Sequence, residues 1–394
     1  MEFTKVNKKE IQTFLEKANA IKPKRPNHPV LECFNLKTDN SELLLTATSL
    51  RQSIKTRICV SEGNIEDSIC IPIKQFLDIV KVNKFASEII ISWEATNKDD
   101  NTLSITVAID ENEFTLDGFV GSEFPEVNFE IVDSTSITFD SKNLQQALEQ
   151  ITPFTSPEEA KQVLTCVYLN FDRKELASTD GHRLATKNLG YESDHSLGGS
   201  LLINRDFCKN LIKFIKADKP KSVELIWGIE KQKTADGNVL ENPACQVLLG
   251  TTTYQFRLQE GEYPDYKQLI PKSFDYKIEL DRKTILDHLK QFKIINKEGI
   301  VRFDFESDHA QISLVDKKGN VLAKAKIPNI SICPDYFVGF NLIYLMEAFQ
   351  KSKSDKVFMR FPSKPNFGKN VCFTSLVLLE SEFTYLLMPV QIRD

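Results

Sequence analysis

One short pattern occurs three times along the chain. Residues 6–15 (VNKKEIQTFL), 139–148 (FDSKNLQQAL) and 280–289 (LDRKTILDHL) align without gaps. Each copy has an apolar residue ending a strand, then Asn7, Asp140 or Asp281 as a helix cap. Apolar-stripe positions follow at helical spacing: Ile11, Phe14 and Leu15; Leu144, Ala147 and Leu148; Ile285, His288 and Leu289. A second pattern recurs in the same register at 71–80 (IPIKQFLDIV), 203–212 (INRDFCKNLI) and 340–349 (FNLIYLMEAF), with Pro or Asn where a helix starts. Two elements repeating in step restrict the chain to three copies of one supersecondary unit.

The rest of each copy reads as strands: LECFNLKTD, ELLLTATS, EIIISWEA and TLSITVAI in the first, VELIWGI and CQVLLGTTTYQFRLQ in the second, VRFDFES and QISLVD in the third. The predicted class is α+β, with three repeated domains over 1–132, 133–273 and 274–394, each two helices packed on antiparallel sheet. A chain of 394 residues exceeds what one core usually serves, which agrees with several domains.

Charge is distributed unevenly between these elements. The six helical segments carry a net +13 and everything else −18, for −5 overall. One Lys-rich helix is an ordinary solvated face, but five of six homologous segments share the sign. Repeats set around an axis would merge those faces into one positive surface, suited to phosphates of any sequence. The helix aromatics Phe14, Phe76, Phe207, Phe214 and Phe349 sit on the apolar stripes and are expected in the core, so duplex fits better than stacked single strands.

Other classes find no support. The N-terminal stretch MEFTKVNKKEIQTFLEKANAI lacks the apolar run of a signal peptide, and no segment is apolar enough to span a membrane. Eight cysteines are spread without a C-x-x-C pair, as expected of buried small side chains in a reducing cytoplasm. Five histidines form no metal-ligand spacing, so no metal and no cofactor is expected.

The string STDGHRLA at 178–185 concentrates Asp180, Gly181, His182 and Arg183 between apolar residues. Asp180 and His182 could be half of an acid/base pair, or Asp-Gly could be a tight turn in which Gly supplies a positive φ. Neither reading accounts for His182 and Arg183 together.

Four ordered stretches carry a family resemblance: STDGHRLA, GEYPDYKQLIP from Gly261, YLLMPVQI from Tyr385, and KRPNHPVLE from Lys24. With these, the chain resembles the bacterial sliding clamps, the beta subunits of DNA polymerase III. The resemblance covers the whole chain and implies half of a closed ring: two subunits joined head to tail as a homodimer, with helices lining a hole around double-stranded DNA. It implies a non-enzymatic, cytoplasmic processivity factor with no membrane contact, whose partners are the polymerase III alpha subunit, the clamp loader and other proteins carrying clamp-binding peptides.

By that resemblance, the partner-peptide pocket would use Thr179, Gly181, His182, Arg183 and Leu184, with Leu164 on its floor. Pro264, Leu269, Leu386, Leu387, Met388, Pro389 and Val390 would complete it. Arg25, Lys74, Arg205 and Lys209 would face DNA; Phe114 and Leu116 would meet Phe292 and Ile294 across the subunit boundary. One departure is Gln391 in place of the family's basic residue after Met-Pro-x, which leaves Arg393 as the nearest rim charge. A DNA-modifying enzyme built on Asp180 and His182, and a specialised clamp paralogue with a plasmid, phage or resistance role, are the alternatives.

Overall fold

A computed structural model describes residues 2–39, 42–64, 67–97, 101–190, 198–233, 238–274, 276–305, 310–327, 336–352, 354–361, 376–379 and 382–392. Among these are six α-helices: α1 (Lys8–Ile21), α2 (Ile73–Val82), α3 (Ser141–Ile151), α4 (Arg205–Asp218), α5 (Arg282–Ile295) and α6 (Leu342–Lys351). The predicted caps form. Asn7 Oδ1 accepts from the backbone N–H groups of Lys9 and Glu10, and Asp140, Asp281 and Asn341 do the same for Asn143, Thr284 and Tyr344. Pro72 begins α2 without a side-chain cap bond. The five helix aromatics are all buried, Phe14 within 5.4 Å of Phe34 edge to face. His288 is only half-buried; Leu286 and Phe292 join Ile285 and Leu289 on the buried face of α5.

The chain divides into two compact units, Met1–Gln145 with Asp206–Gln259, and Gln146–Arg205 with Glu260–Asp394. In the first, twelve strands form one antiparallel sheet. Glu2–Asn7 pairs with both Glu88–Asn97 and Gln52–Asn64, so the strands of the first repeat close on themselves. Gln52–Asn64 also pairs with Thr252–Arg257, Thr56 opposite Thr252 and Gln52 opposite Phe256, which joins the first repeat to the second. The run CQVLLGTTTYQFRLQ is a hairpin and not one strand: Val239–Leu249 and Thr252–Arg257 flank Gly250, whose φ of +59° makes the turn.

The second unit holds an eight-stranded and a four-stranded sheet. Its second and third repeats are joined in the same way, Arg183–Asn188 pairing with Phe383–Leu387. Both joints therefore use the third strand after a repeat's first helix and the last strand of the next repeat. Helices follow suit. Lys17 of α1, almost fully buried, donates to Asp218 Oδ2 at the end of α4 (2.6 Å) and to Thr252 Oγ1 (3.1 Å); Gln150 of α3 donates to the Lys351 carbonyl at the end of α6 (3.1 Å).

Five of the six described cysteines are buried and Cys59 is exposed. Burial pushes the Cys33 and Cys70 thiols up to about 12. Cys333 and Cys372 lie outside the described residues. No helix among the described residues is long and apolar enough to cross a membrane.

Candidate functional site

The STDGHRLA string is a hairpin turn between Glu175–Thr179 and Arg183–Asn188. Gly181 has φ +93°, and a Cβ there would meet nothing within 4 Å, so its requirement is conformational and not spatial. Asp180 Oδ1 accepts from the backbone N–H groups of His182 (2.9 Å) and Arg183 (3.1 Å), while Oδ2 accepts from Arg183 Nε (2.9 Å). Thr179 Oγ1 accepts from the Gly181 N–H and donates to the Arg183 carbonyl. The turn is thus built by its own polar side chains.

Strand pairing carries this turn to the C-terminal stretch. Arg183 lies opposite Leu387 and Leu184 opposite Leu386, and the Met388 N–H donates to the His182 carbonyl at 3.0 Å. Leu184 and Leu386 share a buried cluster with Cys166, Ala177, Leu202, Tyr263 and Tyr266, against which Leu164 and Ile270 pack. Tyr263 and Tyr266 bracket Pro264, itself exposed, and the Tyr168 ring stacks on Tyr263 at 4.7 Å. Tyr266 is anchored from behind, its hydroxyl donating to Glu175 Oε1 (2.6 Å) while Lys267 Nζ donates to Oε2 (2.8 Å). Leu164, Thr179, Gly181, His182, Arg183, Leu184, Pro264, Leu386, Leu387 and Met388, scattered over the sequence, are assembled here. Leu269 and Met388 remain 50% and 40% exposed above the buried floor.

The tail beyond Leu387 is fastened as well. The Val390 N–H donates to the Gly339 carbonyl (2.8 Å), and Ile392 covers Gly339 closely enough that any Cβ there would clash. Pro389 and Val390 are half-buried and Gln391 exposed; Arg393 lies outside the described residues.

Arg183 occupies a place its sequence position did not reveal. It is buried, in ion pairs with Asp180 and Glu347 of α6, with Nη2 donating to the Pro153 carbonyl (3.2 Å). Its guanidinium lies 4.1 Å from the Tyr344 ring centroid and 5.0 Å from that of Phe154. Tyr344 also faces the exposed His182 ring at 6.5 Å. Burial pushes the hydroxyl of Tyr385, beneath this group, far above its ordinary value. Tyr168, Tyr263, Tyr344 and Glu347 escaped the sequence reading, although Tyr344 and Glu347 stand inside the recurring 340–349 pattern.

The basic residues divide into two kinds. Arg25 and Lys74 are exposed, and Lys209 is exposed with a bond to Asp206 (3.2 Å). Arg205 is half-buried and donates to the Ser156 carbonyl (3.1 Å). Lys8 and Lys17, both part of the positive helix count, are buried in structural contacts, Lys8 on the Asn83 carbonyl. Among the described residues no group of three or more His, Cys, Asp or Glu side chains is placed to hold a metal ion.

Of the boundary residues, Phe114 is half-buried and Leu116 buried on Asn112–Val120; Phe292 is buried on the inner face of α5, and Ile294 is 86% exposed on its outer face.

Family models match along the chain. That for the N-terminal domain of the DNA polymerase III beta subunit covers residues 1–128, and that for its central domain 138–265. A beta sliding clamp from Synechococcus elongatus is 25% identical over 397 residues, spanning 98% of both chains. The crystal structure of the Thermotoga maritima DNA polymerase III beta subunit superimposes with a TM-score of 0.81 at 17% identity, covering 100% of each chain. A Pseudomonas aeruginosa sliding clamp bound to griselimycin gives 0.79 at 18% identity, covering 99% of each.

Proposed function

The chain belongs to the family of DNA polymerase III beta subunits, the bacterial sliding clamps, and from that membership we propose how its parts divide the work. As a sliding clamp it confers processivity on the polymerase. Two copies close head to tail into a ring around duplex DNA in the cytoplasm, each contributing three domains over 1–132, 133–273 and 274–394. Exposed cations such as Arg25, Lys74 and Lys209, together with the half-buried Arg205, meet the phosphates.

The observation that carries the ring is the repetition of one joint. Gln52–Asn64 and Arg183–Asn188 are each paired by the last strand of the following repeat. Their equivalent in the third repeat, Val321–Ile327, pairs among the described residues only with Ala310–Val315. The last strand of the first repeat, Asn112–Val120, likewise has 112–118 paired only with Thr102–Ile109. These two edges complement each other on separate copies, and a heterologous contact that closes removes both. Exposed apolar side chains lie where the helices of such a joint would meet: Ile294 and Ile295 at the end of α5 (86% and 54%), Val82 and Phe85 at the end of α2 (78% and 101%).

The hollow at the second joint receives a short hydrophobic peptide from the polymerase alpha subunit, the clamp loader or another partner. Its supports are a rigid aromatic floor, a flexible exposed Met388 and a turn that presents His182. An acid/base role for Asp180 is disfavoured, since both its oxygens already accept bonds that build the turn. Native mass spectrometry tests the ring: a species of twice the 45.0 kDa subunit is expected, and a lone subunit at micromolar concentration would refute it.

A further inference from the structure

The two joints inside this chain are internal controls for one another. At each, the strand that pairs across repeats begins with an equivalent residue: Gln52 opposite Phe256, and Arg183 opposite Leu387. The backbone bond beside them is the same, Arg257 N–H to the Arg51 carbonyl in one and Met388 N–H to the His182 carbonyl in the other, both 3.0 Å. The side-chain chemistry differs. Gln52 donates to the Ile21 carbonyl (3.3 Å), and its Oε1 accepts from Asn210 Nδ2 (3.1 Å) and the Tyr254 hydroxyl (2.7 Å). Arg183 donates to the Pro153 carbonyl and pairs with Asp180 and Glu347. Asn210 and Glu347 occupy the same place in the repeated patterns 203–212 and 340–349.

The set around Gln52 is therefore neutral, and the first joint carries its ion pair elsewhere, between Lys17 and Asp218, so strand pairing at this position does not itself require charge. The neighbouring aromatic shows what the charge at the second accomplishes. Phe207 is buried against Phe256 at 5.4 Å in the first joint. Its counterpart Tyr344 is only half-buried; Leu387 stands where the first joint has Phe256, and the ring lies on the Arg183 guanidinium and faces His182. A planar cation under an aromatic face fixes the ring together with the hydrogen bond that the Tyr344 hydroxyl donates to Asp180.

We propose that Glu347 is a positioning residue for the partner-peptide pocket: by pinning Arg183 beneath Tyr344, it holds that ring upright beside His182 as an aromatic wall. This rests on the pocket assignment above. Glu347 touches no peptide itself and acts through Arg183.

The test is calorimetric binding, to the full chain, of the C-terminal tail peptide of the DNA polymerase III alpha subunit from the same genome. Glu347→Gln and Tyr344→Ala should each weaken the peptide about tenfold, and the double variant no more than either alone, since coupled positions are non-additive. Glu347→Asp should recover part of the loss. Arg183→Gln with Glu347→Asn, made together with Asp180→Asn so that no buried carboxylate is left unpaired, should fold yet bind about tenfold more weakly. Full-strength binding to Glu347→Gln, additive losses in the double, or collapse of the fold in the neutral variant would each overturn the proposal. Met388→Ala separates the two readings. If it leaves affinity unchanged, the pocket assignment fails; if it weakens the peptide while Glu347→Gln does not, the positioning role alone fails.

Discussion

Replacing Phe114 with Asp should break the ring while sparing the subunit. Phe114 holds the same hairpin position as Tyr254 and Tyr385: it lies opposite Val107, as they lie opposite Val247 and Leu378. Tyr254 and Tyr385 are fully buried at joints paired within the chain, whereas Phe114, on the open edge, is only half-buried. Pairing with a second copy would complete its burial. Losing that apolar contact costs about 2 kcal/mol, and a carboxylate left unpaired in the joint adds about 3 kcal/mol. A head-to-tail dimer contains two such joints, so the penalty approaches 10 kcal/mol, the order of a nanomolar to micromolar association. Sedimentation equilibrium at micromolar concentration should then give a species of 45.0 kDa with the parent's thermal midpoint. A dimer that persists at the same concentration would remove this edge from the interface.

Three further outcomes follow from the same geometry. Reversing Arg25, Lys74 and Lys209 to Glu should weaken duplex binding equally for every sequence and lower the salt dependence by about one unit of slope per lost phosphate contact; measured binding losses that depend on base sequence would contradict a non-specific lining. Met388→Ala and Leu269→Ala alter exposed side chains, so each should cost the polymerase tail peptide about 1–2 kcal/mol by calorimetry without moving the melting temperature. In the native protein at pH 8, a thiol-alkylating reagent followed by peptide mapping should modify Cys59 and spare Cys33 and Cys70, whose burial keeps them protonated until the pH nears about 12.

What could be read from sequence was whatever local spacing decides. Asn7, Asp140, Asp281 and Asn341 cap their helices because a short polar side chain at that position meets the first free N–H groups whatever surrounds it. Gly181 makes its turn for an equally local reason. Lys17 was counted with the positive helix faces, yet it is buried on Asp218, 201 residues away. Arg183, assigned to the pocket by the string it stands in, also grips Glu347, 164 residues away. Periodicity along one helix says nothing of a strand or helix end brought in by another repeat. The tyrosines around Pro264 were missed for a related reason: their burial depends on Tyr168 and Glu175 in a separate hairpin.

The joint between copies has to close around something, and topology tests that directly. The protein would be placed on a nicked circular plasmid by its clamp loader, freed of unbound subunits by gel filtration, and the plasmid then cut once. A closed ring holding duplex by linkage should stay with the circle through the column and leave once free ends exist. Protein that remains on the linear DNA, or that falls from the intact circle at the same rate, would contradict a ring that encircles DNA.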